Sequence, residues 1–341
     1  MITISVCMIV KNEEAMLGDC LKSIAPIADE IIIADTGSTD RTKEIAAEFT
    51  DKIYDFPWID DFSAARNFVF SKASMDYIYT ADADEVLDDN NIELFKKVKA
   101  ALLPEIEIVQ MYYLNLMETN TAYNSKRELR PKLFKRIRSF EWINPIHETV
   151  RLDPIIYNSD IEIMHLAKGS HAKRDFATFR KALRKGMRLD KTLHGMYAKE
   201  LFIAGDREDM NEAVPFFEGS LSDPLRSVDE KAEARAVLAR CYRECGNISG
   251  FFSLCLRDVI AKPCSEICTE IGKYFYSAGN YNEALCWLYD GIFETEPIIT
   301  VFCQGKENLL LLSDCCERTG DVNSAEKYKK LAEEWVLPDT L

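Results

Sequence analysis

The spacing of apolar residues changes near residue 175, and no other feature of the chain constrains its fold so tightly. Up to about residue 170, short apolar runs of strand length alternate with stretches of helical period; beyond that point helix follows helix. Strand-helix alternation is the mark of an α/β layer, because parallel neighbours need a crossover long enough to hold a helix. Glu30-Ile31-Ile32-Ile33-Ala34 carries three successive isoleucines, as a strand covered on both faces would. The pattern predicts strands over residues 3–10, 30–34, 52–54, 77–80, 106–116, 132–134 and 161–165. It predicts helices over 12–24, 41–49 and 63–73, the last capped by Ser63.

The second half is punctuated by Gly205-Asp206, Gly246-Asn247, Gly279-Asn280 and Gly320-Asp321, which are 41, 33 and 41 residues apart. That spacing suits a helix-turn-helix unit. The clearest copy, YFYSAGNYNEALCWLYDGIFETEP, resembles the tetratricopeptide repeat, whose units stack apolar faces into a continuous core and leave a concave surface. The expected organisation is an α/β domain over residues 1–172 followed by an all-α repeat domain over 173–341, each long enough for its own core.

Charge narrows the range of partners. A formal net charge of −15 over 341 residues argues against a general nucleic-acid binder. No apolar run reaches the length that crosses a bilayer. The opening MITISVCMIVKNEE reads as a buried first strand rather than a signal peptide, so a cytoplasmic protein is expected. Nine of the 11 cysteines lie from Cys241 onward in helical segments. Cys241/Cys245 and Cys264/Cys268 could each share a helical face, but Cys-x-x-Cys knuckles are absent, so buried reduced thiols are expected rather than zinc.

Chemistry concentrates in MDYIYTADADEV. Asp82 and Asp84 stand two residues apart as a strand runs out, so both could reach one hard cation. The same triplet could also be an acidic turn. Three further elements precede it: VCMIVKNEE, IIIADTGSTDRT and FSAARNFVF. All four sit at strand ends or an adjacent helix start, where open α/β sheets assemble ligand sites.

Together these motifs resemble family 2 glycosyltransferases of the GT-A fold, strongly over the first 90 or so residues and weakly over the next 80. The resemblance implies a Rossmann-like, mainly parallel sheet and a nucleotide-sugar donor, expected to be a UDP-sugar. It places Lys11, Asn12 and Glu13 beside the base, Asp35 at the uracil or ribose edge, and Gly37 and Ser38 in a tight turn near the donor. It brings Arg66, supported by Asn67, towards the nucleotide. It assigns Asp82 to ribose or metal, and Asp84 to Mg2+ or Mn2+, with His165 as a third ligand. FEWINPIHETVR is similar to the histidine-glutamate segment of the repeat-bearing subgroup, so His147 or Glu148 would be the base of an inverting transfer. His171 and His194 are expected to be structural.

Two departures bear on the acceptor. The Gln-x-x-Arg-Trp motif of processive synthases is absent. The segment ELRPKLFKRIR is expected to be a basic loop, able to hold diphosphate or an acidic acceptor or simply to be a solvated edge. The whole architecture resembles transferases that glycosylate cysteine or serine in sublancin-type bacteriocin peptides, which implies a peptide or protein acceptor. A saccharide or cell-envelope acceptor, a catalytically inactive repeat-based binding protein and a nucleotidyltransferase are the alternatives. The repeats could also form a homodimer.

Overall fold

The structure, a computed structural model, describes residues 1–115, 127–138, 142–143, 149–150, 154–166, 172–261 and 263–336. The chain forms two compact units; among the described residues the strands lie in the first and the helices from Ala172 onward in the second.

The strands of the first unit are β1 (Ile4–Val10), β2 (Glu30–Asp35), β3 (Ile53–Asp55), β4 (Tyr77–Ala81), β5 (Glu85–Val86), β6 (Ile108–Asn115), β7 (Arg127–Lys135), β8 (Trp142–Ile143), β9 (Thr149–Val150) and β10 (Ile156–His165). Eight of them make one sheet in the order β3-β2-β1-β4-β7-β6-β10-β5, while β8 and β9 pair separately. The first four are parallel, β10 runs parallel to β6, and β7 lies antiparallel between β4 and β6.

Both faces of the sheet are covered. Helices α1 (Leu17–Ile24) and α4 (Asp89–Ala101) lie on one face, where Leu17, Leu21 and Phe95 join Val6, Met8, Ile33 and Tyr79. Helix α2 (Thr42–Ala47) connects β2 to β3. On the other face α3 (Phe62–Phe70) contributes Val69 and Phe70 to a cluster with Cys7, Ile32, Phe134 and Trp142. Successive isoleucines thus enter opposite cores, as the pleat requires.

Several local expectations are corrected. The predicted helix over residues 12–24 is cut to α1, because Asn12 has a positive φ of 55° and the Glu13 and Glu14 amides bond to Thr42 and Asp40. The cap of α3 is Asp61, whose carboxylate accepts from the Ala64 amide at 3.0 Å; Ser63 donates its hydroxyl to the same carboxylate. The strand expected over residues 132–134 lies within the longer inner strand β7, which also takes up the residues before it, expected as a basic loop. The last strand begins at Ile156 rather than residue 161.

In the second unit the described helices are α5 (Ala172–Arg184), α6 (Lys191–Ala204), α7 (Arg207–Ser222), α8 (Val228–Cys245), α9 (Ile248–Ala261), α10 (Ser265–Ser277), α11 (Tyr281–Tyr289), α12 (Lys306–Thr319) and α13 (Val322–Glu334). The turns α8–α9, α10–α11 and α12–α13 pass through Gly246, Gly279 and Gly320 at φ of 76°, 76° and 89°, a left-handed conformation that costs other residues energy. Gly205 instead has φ −69°, and a Cβ there would meet the Leu201 carbonyl oxygen at 2.7 Å. His194 is buried between the Glu233 carboxylate at 2.9 Å and the Ser220 hydroxyl at 3.3 Å, a structural role as expected. His171 lies outside the described residues. All the cysteines are free thiols. Among the described residues no helix is long and apolar enough to cross a membrane.

Candidate active site

Because β1, β2 and β4 are parallel, their carboxyl ends emerge along one edge, the edge at which open α/β sheets bind ligands. Val10 is in register with Asp35 and Met8 with Ala81, so Asp35 and Asp82 flank the end of β1. Asp35 is buried. Its Oδ1 accepts from the Gly37 and Ser38 amides, both at 3.0 Å, while Oδ2 has no hydrogen-bond partner among the described residues. Gly37 takes φ 103°, which closes the turn under the carboxylate. Asn12 ties the loop after β1 to this turn: its amide donates to the Ser38 hydroxyl at 2.9 Å and its Oδ1 accepts from the Thr39 amide at 2.8 Å. Lys11 is exposed at the rim and Glu13 is half-buried.

Arg66 reaches the edge from α3. Its guanidinium donates to Thr80 Oγ1 at 2.7 Å and to Asp82 Oδ1 at 3.1 Å, and lies 5.0 Å from the centre of the Trp142 ring. Burial alone would raise the Asp82 carboxyl pKa. Arg66, with Lys132 and Arg130 behind it, outweighs that and holds the group well below the usual carboxylate range. Asp82 is therefore ionised and oriented, yet its side chain is still 38% exposed. Asn67 does different work. Both ends of its amide hold the Trp142 backbone, donating to the carbonyl at 2.9 Å and accepting from the N–H at 2.8 Å. It therefore braces the ring that lies against Arg66.

Asp84 meets His165 because the short strand β5 pairs antiparallel with the end of β10, in register at Glu85 and His165. Asp84 Oδ2 stands 3.0 Å from His165 Nε2, and the Leu166 amide donates to the Asp84 carbonyl at 2.8 Å. A divalent ion could replace the proton in that contact. A carboxylate oxygen and an imidazole nitrogen suit Mn2+, with donor oxygens and water completing the shell, whereas Mg2+ prefers oxygen throughout. The chain itself supplies few donors, since no group of three His, Cys, Asp or Glu stands close enough to hold a metal among the described residues.

Beneath this turn lies a buried ion pair that sequence reasoning missed. Glu85 accepts from the Asp82 amide at 3.2 Å through Oε2, and its Oε1 is paired with the Lys132 ammonium from β7. Burial raises the Glu85 carboxyl pKa, and the Lys132 charge opposes that rise. The hint in the sequence is the short strand expected over residues 132–134, which puts Lys132 in the sheet without naming its partner. His147 and Glu148 lie outside the described residues.

A doubly covered α/β sheet with carboxylates and an arginine gathered at its carboxyl edge defines a GT-A-like domain. Residues 5–151 match the model of Glycosyl transferase family 2. It is 36% identical over 151 residues to a TPR repeat-containing protein of Synechococcus elongatus, covering 44% of this chain and 36% of that protein. It is 31% identical over 162 residues to the SPbeta prophage-derived glycosyltransferase SunS of Bacillus subtilis, covering 47% of this chain and 36% of SunS. The chain spans 36% to 56% of the length of such curated relatives. Among solved structures, glucosyl-3-phosphoglycerate synthase from Mycobacterium tuberculosis, in complex with Mn2+ and UDP-glucose, overlaps 33% of this chain and 44% of that one. Identity is 24% and the TM-score 0.29, an overlap too partial to bear on function.

Proposed function

We propose that the chain is a metal-dependent, inverting glycosyltransferase that moves a sugar from a UDP-linked donor to a peptide or protein side chain. The observation that carries this reading is the gathering of Asp35, the Arg66–Asp82 pair and the Asp84–His165 pair along one end of the sheet. The family 2 match over residues 5–151 supports it independently.

Each residue then has a role. Asp35 Oδ2, which has no hydrogen-bond partner among the described residues, accepts from the base or ribose of the donor. Lys11, Asn12 and Glu13 line the base side, while Gly37 and Ser38 let the backbone approach. Arg66 fixes Asp82 as an ionised acceptor for a ribose hydroxyl. Asp84 and His165 would hold the metal, with Asp82 as a further ligand were it to turn from Arg66. When bound, the metal neutralises charge that develops on the departing diphosphate. His147 or Glu148 takes the proton from the acceptor nucleophile, a role that rests on sequence resemblance. The peptide acceptor rests on the resemblance to bacteriocin-peptide transferases.

The test is ligand-dependent stability followed by product analysis. UDP with MnCl2 at ~100 times the dissociation constant should stabilise the chain by about 2.7 kcal/mol. A purely structural repeat protein would show no metal-dependent gain. Asp84→Asn should abolish both that metal dependence and donor hydrolysis while the circular dichroism spectrum stays unchanged; full activity in this variant refutes the metal site. A panel of UDP-sugars with peptide and saccharide acceptors, read by mass spectrometry, decides the acceptor class.

A further inference from the structure

We propose that Arg130 binds the phosphate oxygens of the nucleoside diphosphate donor, presented by a strand that a bulge at Lys132 has reshaped for the purpose. This deepens the donor reading above and rests on it.

The bulge is visible in the strand register. β6 pairs Val109 with Leu133 but Gln110 with Pro131, which leaves Lys132 as an extra residue on β7. Such bulges break the ladder, bend the strand and re-aim side chains. Pro131 sharpens the break because it has no N–H to donate. β4 pairs with β7 only through Tyr77, Ile78 and Tyr79, opposite Lys135, Phe134 and Leu133. The two strands therefore part at the bulge, two residues before β4 ends and Asp82 begins. Lys132 turns into the interior to meet Glu85.

Arg130 is positioned by the same bend. Its guanidinium lies 3.8 Å from the centre of the Tyr113 ring, that ring is 5.0 Å from the His165 ring, and His165 touches Asp84. Its Nε is paired with Glu128. Three cations act on the Asp82 carboxylate, and all are held by the protein: Arg66 by Thr80 and Asp82, Lys132 by Glu85, Arg130 by Glu128 and the Tyr113 ring. The Arg130 side chain is 27% exposed, against 11% for Arg66 and 6% for Lys132, so it is the one that faces an incoming ligand. With Asp82 matched by Arg66 and Glu85 by Lys132, a diphosphate entering beside Asp84 still carries more negative charge than one divalent ion cancels. A guanidinium held over an aromatic ring is pre-organised for phosphate oxygens, and an ammonium does not replace it.

The test measures binding of uridine and of UDP, each with excess MnCl2, to the full chain by calorimetric competition. Wild type is compared with Arg130→Gln and Arg130→Lys. A phosphate contact predicts that Arg130→Gln binds UDP about tenfold to a hundredfold more weakly, as expected for a lost charge-assisted hydrogen bond, with uridine affinity unchanged. Arg130→Lys keeps the charge but not the fork and should lie between; it also decides the matter if the glutamine variant fails to fold. UDP affinity within about twofold of wild type in the folded variants overturns the proposal, as does an equal loss for uridine and UDP. A wild type that binds neither ligand instead overturns the donor reading, and this proposal falls with it.

Discussion

Glu30→Gln should destabilise the first unit at neutral pH by an amount that shrinks in acid, and the structure supplies the magnitude. Glu30 opens β2 at the end of the sheet opposite the candidate site, and it is buried. Its carboxylate accepts from the Ser5 hydroxyl of β1, from the Ser74 amide at 2.9 Å and hydroxyl at 3.0 Å just before β4, and from the Lys52 ammonium just before β3. One side chain thus ties together the starts of four parallel strands. Burial would raise its pKa, but these partners outweigh burial and lower it from 4.5 to about 2. A shift of that size corresponds to about 3 kcal/mol, at 1.36 kcal/mol for each pH unit. Lys52 is 44% exposed, so solvent screens its share and about 2 kcal/mol is the better figure. The folded pKa lies below the unfolded one, so this stability is fully present above pH 4.5 and drains away as pH falls towards 2. Urea unfolding read by amide exchange in peptides from β1, β2 and β4 separates this unit from the other. The variant should be about 2 kcal/mol less stable at pH 7, and about half that or less at pH 3. An equal difference at both pH values, or one below about 0.5 kcal/mol at pH 7, would refute the reasoning.

Other perturbations probe different links. Asn67→Ala removes both bonds to the Trp142 backbone and should cost about 1–3 kcal/mol, with faster exchange of the Trp142 amide; unchanged protection there would mean the brace is idle. Lys132→Met strands the Glu85 carboxylate in the interior and should cost about 3–5 kcal/mol, most of it recovered when Glu85→Gln is added. A neutral single variant would show that the pair is hydrated. Gly279→Ala forces a side chain into φ 76° and should destabilise the second unit by about 1–2 kcal/mol, while leaving UDP binding unchanged; calorimetry and a thermal melt check both halves of that expectation.

Much of the fold could be read from local pattern because period and burial are local consequences of secondary structure. Ile31–Ile33 marked a strand covered on both sides, and Ile32 and Ile33 do enter opposite cores. The glycines at 246, 279 and 320 marked helix turns because only that residue takes a left-handed turn without strain. The helix expected from Asn12 starts later, since the positive φ of Asn12 goes with bonds to Ser38 and Thr39 more than 25 residues away, which no local pattern shows.

The same division holds for the candidate site. The amino-acid sequence alone determined which side chains stand at strand ends: Asp35, Asp82 and Asp84 follow apolar runs, and the chemistry of each was legible from residue type. It could not show that β7 inserts antiparallel beside β4, because strand order is set by sheet pairing over some 50 residues of chain. That insertion makes a basic run, of which the local pattern marks only residues 132–134 as strand, into a strand that carries Lys132 beneath Asp82 and Arg130 against Tyr113. It likewise took tertiary structure to decide that Asn67 braces Trp142, and to bring His165 to Asp84 through the pairing of β5 with β10. A side chain's identity belongs to the sequence, whereas its partner is chosen by packing.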